Sequence, residues 1–94
     1  MELDDISSFE WDEGKRRANL AKHGLDFEDA VLALDEDAYL YRSTWQDEER
    51  WIAVCQEDAR LIAVVFTMRG SVCRIISVKV ARRNERRKYH ARHG

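Results

Sequence analysis

The chain has 94 residues, no proline, 45% apolar and 36% charged side chains, a composition that suits one compact domain with one modest core and excludes a second. No apolar run approaches the roughly 20 residues that span a bilayer, and the acidic start MELDDISSFE lacks the basic and apolar regions of a secretory signal, so a cytoplasmic protein is expected. The net charge of −2 conceals a division: residues 1–58 hold 17 acids and 6 bases, whereas residues 59–94 hold 10 bases and the single acid Glu85. Either the basic half meets an anionic partner, most economically nucleic-acid phosphates, or the two halves neutralise each other within the fold.

In chain order, FEW at 9–11 is a short aromatic strand candidate, and Asp12 is placed to cap a helix over EGKRRANLAKH, with Ala18, Leu20 and Ala21 as a weak apolar stripe. Gly24 suits the left-handed position that ends such a helix. Asp26 then caps DFEDAVLALD, where Phe27, Ala30, Val31 and Leu34 recur at helical spacing. Tyr39 and Tyr41 alternate as on a strand, and RWIAVCQ, RLIAVVFTMR and VCRIISVKVA read as three more, joined by short connectors and therefore antiparallel neighbours. The tail RRNERRKYHAR contains helix formers with only Tyr89 and Ala91 as apolar residues. This order predicts an α+β fold, two N-terminal helices and a C-terminal helix packed on an antiparallel sheet of four to five strands.

Within FTMRGSVCRIIS, Gly70-Ser71 fits a two-residue type II′ turn. That register pairs Arg69 with Val72 and Thr67 with Arg74, so Arg69, Thr67 and Arg74 project from one face. Two converging guanidinium groups can grip one phosphate through forked hydrogen bonds, or can merely cover a solvated sheet face. Strict alternation puts Ser77 and Lys79 on the other face unless a bulge intervenes. Cys55 and Cys73 fall on strands that flank a third, roughly 9–10 Å apart, too far for a disulfide.

His23 lies between Lys22 and Gly24 at the end of the first helix, where it suits proton transfer beside a cation or simply the last helical residue. Glu85 is within helical reach of Arg82, Lys88 and Tyr89. Lys15, Lys22, Arg82, Arg83 and Arg86 are candidate contacts to a nucleic-acid backbone, and Trp45, placed in a loop, is a better base-stacking candidate than Trp51, which reads as core. His90 and His93 have a ligand-like gap but no cysteine near them in sequence, and no metal or other cofactor is expected.

The run of Phe9, Trp11, Asp12, Lys15, Asn19, Lys22, His23, Gly24, Phe27 and Ala30 resembles the opening signature of the BrnT toxins of bacterial type II toxin–antitoxin pairs. RIISVKVARRNERRKY is similar to that family's closing segment through Arg74, Ile75, Ser77, Ala81, Glu85, Arg86 and Tyr89. The resemblance spans residues 9–89. It implies a RelE-like fold, a metal-independent ribonuclease that arrests translation, an RNA substrate and a BrnA-like ribbon-helix-helix antitoxin that alone would contact DNA. The chain departs from the pattern at ISVKVA, where Lys79 replaces an arginine and Val80 a lysine, a point charge in place of a fork. On this basis His23, Arg69, Arg74, Lys79 and Glu85 are the expected catalytic group, and Lys15, Lys22, Arg82, Arg83, Arg86 and Tyr89 the expected substrate contacts. The alternative is a weakened or inactive RNA- or protein-binding module of the same fold.

Overall fold

The computed structural model describes residues 1–93. After a single 3-10 turn at Leu3–Asp5 come β1 (Ser8–Glu10), α1 (Glu13–His23), α2 (Phe27–Ala33), β2 (Tyr39–Trp45), β3 (Glu48–Glu57), β4 (Arg60–Arg69), β5 (Val72–Val80) and α3 (Arg83–His93). The local signals place the helices well. Asp12 accepts from the Lys15 amide and Asp26 from the Glu28 amide, capping α1 and α2, and Gly24 closes α1 at φ +69°.

The five strands form one sheet in the order β1-β5-β4-β3-β2. Strands β2 to β5 are the expected antiparallel meander, but β1 lies parallel to β5, pairing Phe9 with Cys73 and Glu10 with Arg74. The sheet is therefore mixed rather than antiparallel. No hairpin ties β1 to its neighbour, so nothing in local sequence sets its direction; it fills the edge of β5 that the meander leaves free.

One sheet face is buried under α1 and α2. Phe27 and Ala30 of α2, with Leu25 before it, meet Cys55, Val64, Phe66 and Ile75. Such a fully buried phenylalanine is worth roughly 3–5 kcal/mol against alanine. The other face carries a smaller cluster, in which Val54, Leu61 and Ala81 meet Tyr41 and Tyr89 beneath α3. Cys55 and Cys73 are buried free thiols on the strands flanking β4.

α1 does not pack as its sequence suggests. Ala18, Leu20 and Ala21 are exposed, and the only buried residue of the helix is Asn19. Its carboxamide donates to the Val78 carbonyl at 2.9 Å and accepts from the Val78 amide at 3.1 Å, while donating also to the Leu25 carbonyl at 2.9 Å. Beyond Arg74, where pairing with β1 ends, β5 has an unpaired edge. Asn19 serves that edge as a strand would, satisfying buried main-chain groups that would otherwise cost about 1–3 kcal/mol each.

Candidate functional site

The type II′ turn forms as expected: Gly70 has φ +61° and Ser71 is not among the left-handed residues. Arg69 pairs with Val72 and Thr67 with Arg74, so Arg69, Thr67 and Arg74 share a face. The ladder then slips: Phe66 pairs with Ile75 but Val65 with Ser77, leaving Ile76 as the extra residue of a bulge. A bulge resets the alternation. Consequently Ser77 and Lys79 join Arg74 on the same side, the face that α3 partly covers, which strict alternation would have forbidden.

Charge pairing separates the two readings of the sequence. Of the bases after residue 58, only Arg60 and Arg74 form ion pairs among the described residues, with Glu57 and Glu10. Arg69, Lys79, Arg82, Arg83 and Arg86 make none, and the acids Glu13, Asp26, Glu48 and Glu49 pair with Arg16, Arg50 and Arg42 of their own half. The acidic half thus leaves the basic half largely uncompensated, an arrangement that attracts a polyanion.

The basic face has two ends. Arg69 and Arg74 stand beside the β4–β5 turn, where Glu10 from β1 holds the Arg74 guanidinium. Lys79 stands five residues further along β5, up to roughly 16 Å away at strand spacing. α1 starts just beyond β1, at the level of Arg74, and reaches Val78 with Asn19. His23, one turn or about 6 Å further on, therefore lies toward the Lys79 end of β5. It is exposed, beside exposed Lys22, and the helix end is closed by the Gly24 amide on the Leu20 carbonyl. Along β5 this sets His23 apart from Arg69 and Arg74 and level with Lys79, while α1 lies over the sheet face opposite to the one that carries the Lys79 side chain. Lys15, near the start of α1, is exposed and lends its amide to the Asp12 cap.

Glu85 is 3% exposed. One carboxylate oxygen accepts the Tyr41 hydroxyl and the other the Arg82 amide at 2.8 Å, the second contact closing the first turn of α3 as a capping box does. Its partners are therefore a strand tyrosine and a main-chain amide rather than the neighbouring bases. Burial, reinforced by Glu85, pushes the Tyr41 hydroxyl above its ordinary value. Tyr89, one turn after Glu85, packs half-buried on the same face with its ring 4.4 Å from that of His93. Arg82 and Arg83 are exposed, and Arg86 donates to the Ala81 carbonyl at 2.6 Å. The C-terminal turn is tied to the loop before β2 through His93 and the Asp37 carbonyl, 2.7 Å apart. No cluster of three metal-ligating side chains occurs among the described residues.

Two groups escaped the sequence reading. Glu10 could be recognised only from the parallel β1–β5 register, which leaves no local trace. Tyr41 did carry a signal, its alternation with Tyr39, but its hydroxyl's partner lies 44 positions away.

Comparison with known proteins bears on this arrangement. The family described as the ribonuclease toxin BrnT of type II toxin–antitoxin systems matches residues 11–85. The crystal structure of the Brucella abortus ribonuclease toxin BrnT superposes with a TM-score of 0.63 at 33% identity, covering 81% of this chain and 97% of that one. No curated protein matches.

Proposed function

Because the chain belongs to the BrnT family of ribonuclease toxins of type II toxin–antitoxin systems, we propose that it is an endoribonuclease that cuts RNA without a metal ion and so arrests translation. A ribbon-helix-helix antitoxin of the BrnA type holds it inactive in the cytoplasm. The observation that carries the reading is the bulge at Ile76, which gathers Arg69, Arg74 and Lys79 on one face, where Arg69 and Lys79 are free of acids among the described residues.

Metal-free cleavage requires a base for the 2′-hydroxyl, positive charge for the phosphorane and an acid for the leaving 5′-oxygen. In this reading the chemistry lies at the Lys79 end. His23 transfers a proton there, as the side chain best suited to both roles near neutrality, and Lys79 stabilises the charge that develops on the phosphate. Arg69 and Arg74 grip a neighbouring phosphate through forked hydrogen bonds, with Glu10 orienting the Arg74 guanidinium. Glu85 is a positioning residue that fixes the start of α3, so that Arg82, Arg83 and Arg86, with Lys15 and Lys22 of α1, hold the flanking backbone.

The test is digestion of total RNA by the purified chain in EDTA, beside folded His23→Ala, Lys79→Ala and Arg74→Ala proteins. The expected result is metal-free cleavage, with kcat reduced at least tenfold in the first two variants and mainly KM raised in the third. Absence of cleavage by the wild-type chain, with RNA binding retained, would overturn the enzyme reading in favour of a binding module weakened at Lys79 and Val80.

A further inference from the structure

Two of the three tryptophans, Trp11 and Trp51, pack on the main core. Trp45 is 58% exposed. It is the last residue of β2, paired with Glu48 across a two-residue turn in which Gln46 and Asp47 take φ +50° and +64°, the left-handed pair of a type I′ turn. The indole thus sits on a closed ladder rather than on a loop as its sequence context suggests.

The register decides which way Trp45 faces. Residues 39, 41, 43 and 45 of β2 alternate onto one side, and Tyr39 and Tyr41 lie in the cluster beneath α3, so Trp45 belongs to the same face as Arg69 and Arg74. The β3–β4 ladder ends at its Trp51–Phe66 pair, but beyond it the Thr67 hydroxyl donates to the Glu49 carbonyl at 3.1 Å, so the end of β4 that carries Arg69 stays beside the end of β3 that pairs with Trp45. Trp45 therefore stands on the strand two places from that of Arg69, strands that lie about 10 Å apart in a sheet. Two of the acids at this hairpin are already neutralised: Glu48 by Arg50 at 3.3 Å, and Glu49 by Arg42. α3 covers the other half of this face and leaves this half open.

We propose that Trp45 is a base-stacking subsite, on which one unpaired base of a single-stranded RNA lies while an adjacent phosphate is gripped by Arg69 and Arg74. An exposed aromatic plane beside cationic groups is the combination that single-stranded nucleic acids use, the ring taking any base and the cations tracking the backbone. The occupant follows from charge: Arg69, which pairs with no acid among the described residues, favours a polyanion over an apolar protein segment, with the Arg74 fork held beside it by Glu10. This inference rests on the ribonuclease reading and adds to it the strandedness of the substrate and the position of one base.

The experiment measures binding of a fluorescent 2′-O-methyl single-stranded RNA, which cannot be cut, to the wild-type chain and to its Trp45→Phe and Trp45→Ala variants, as a function of salt. Trp45→Ala is expected to bind roughly tenfold more weakly, with an unchanged salt slope because no phosphate contact is lost, while Trp45→Phe stays within about threefold of wild type. An oligonucleotide with abasic sites should remove the difference between wild type and Trp45→Ala. Equal affinity of wild type and Trp45→Ala for the intact strand overturns the inference alone, as does a lowered salt slope in Trp45→Ala. If Trp45→Ala instead loses affinity only for the antitoxin, the indole is a protein anchor and the inference falls. Failure of the wild-type chain to bind any RNA would overturn the ribonuclease reading itself, and this inference with it.

Discussion

The side chain of Asn19 and the main chain of Val78 form a reciprocal pair, the carboxamide donating at 2.9 Å and accepting at 3.1 Å. One polar side chain thereby fastens a helix that buries no apolar residue of its own to the unpaired edge of a central strand. Asn19→Ala should cost about 2–4 kcal/mol, since it strands the Val78 amide and the Leu25 carbonyl in a buried setting. Asn19→Asp should also destabilise, because it keeps the acceptor but replaces the donor with a repelling carboxylate. Urea denaturation midpoints at constant slope are the measurement. A loss under 0.5 kcal/mol for alanine would show that water replaces the side chain.

Tyr41 and Glu85 anchor α3 to β2 in a similar way. Glu85→Ala leaves the Tyr41 hydroxyl and the Arg82 amide unpartnered and should cost about 2–3 kcal/mol; Tyr41→Phe leaves the carboxylate with one contact fewer and should cost about 1–2 kcal/mol. The double variant should lose less than the sum of the singles, with a coupling of about 1 kcal/mol. Additive losses in a denaturation cycle would mean that the two groups do not interact.

Burial pushes the Cys55 and Cys73 thiols up to about 12 from an ordinary 9. Both stay neutral in the fold while an unfolded chain ionises above pH 9, so the unfolded state binds fewer protons in that interval. Stability is therefore full below about pH 9 and declines toward pH 12. Cys55→Ala and Cys73→Ala should flatten the decline, although each is less stable at neutral pH for want of packing. Thiol titration at pH 8 should find neither cysteine reactive until denaturant is added.

The unpaired bases on β4, β5 and α3 predict RNA affinity that falls steeply with salt. Replacing Arg82, Arg83 and Arg86 together by glutamine should reduce the magnitude of the log–log slope by about 2, each lost phosphate contact in single-stranded nucleic acid contributing about 0.7. Binding isotherms between 50 and 300 mM salt measure it. A slope equal to wild type would place the backbone elsewhere.

Lys79→Arg restores a forked donor where this chain has a point charge. Because the residue stands at the strand end that carries the proposed chemistry, the substitution should raise kcat several-fold with KM little changed. An unaltered or lower rate would show that the position needs charge and not a fork.

The elements legible in the chain were those whose signals are local. Asp12 and Asp26 cap within three residues, Gly24 takes the one conformation that other residues resist, and Gly70-Ser71 sets the register of Arg69, Thr67 and Arg74 without help from the rest of the fold. α1 misled because its exposed Ala18, Leu20 and Ala21 mimic a buried stripe, whereas its true contact is a single polar residue that apolar periodicity cannot reveal. Trp45 misled in the same manner: no Asn-Gly or Asp-Gly marks the turn that keeps it on a strand, since Gln46 and Asp47 accept the left-handed backbone only under the closed β2–β3 ladder.

By itself, then, the sequence determined where α1 and α2 are capped and where the Gly70-Ser71 turn falls, the division of charge between the halves, and that Arg69 and Arg74 share one face of the β4–β5 hairpin. These properties depend on neighbours a few positions apart and on counting. Tertiary structure alone decided that β1 runs parallel to β5, that a bulge at Ile76 turns Ser77 and Lys79 onto the face of Arg74, that Glu10 and Tyr41 meet Arg74 and Glu85, and that Asn19 fastens α1 to β5 at Val78. Each of these depends on contacts between segments about 40 or more residues apart, or on a one-residue slip in a ladder, and alternation along a single strand holds only until such a slip occurs.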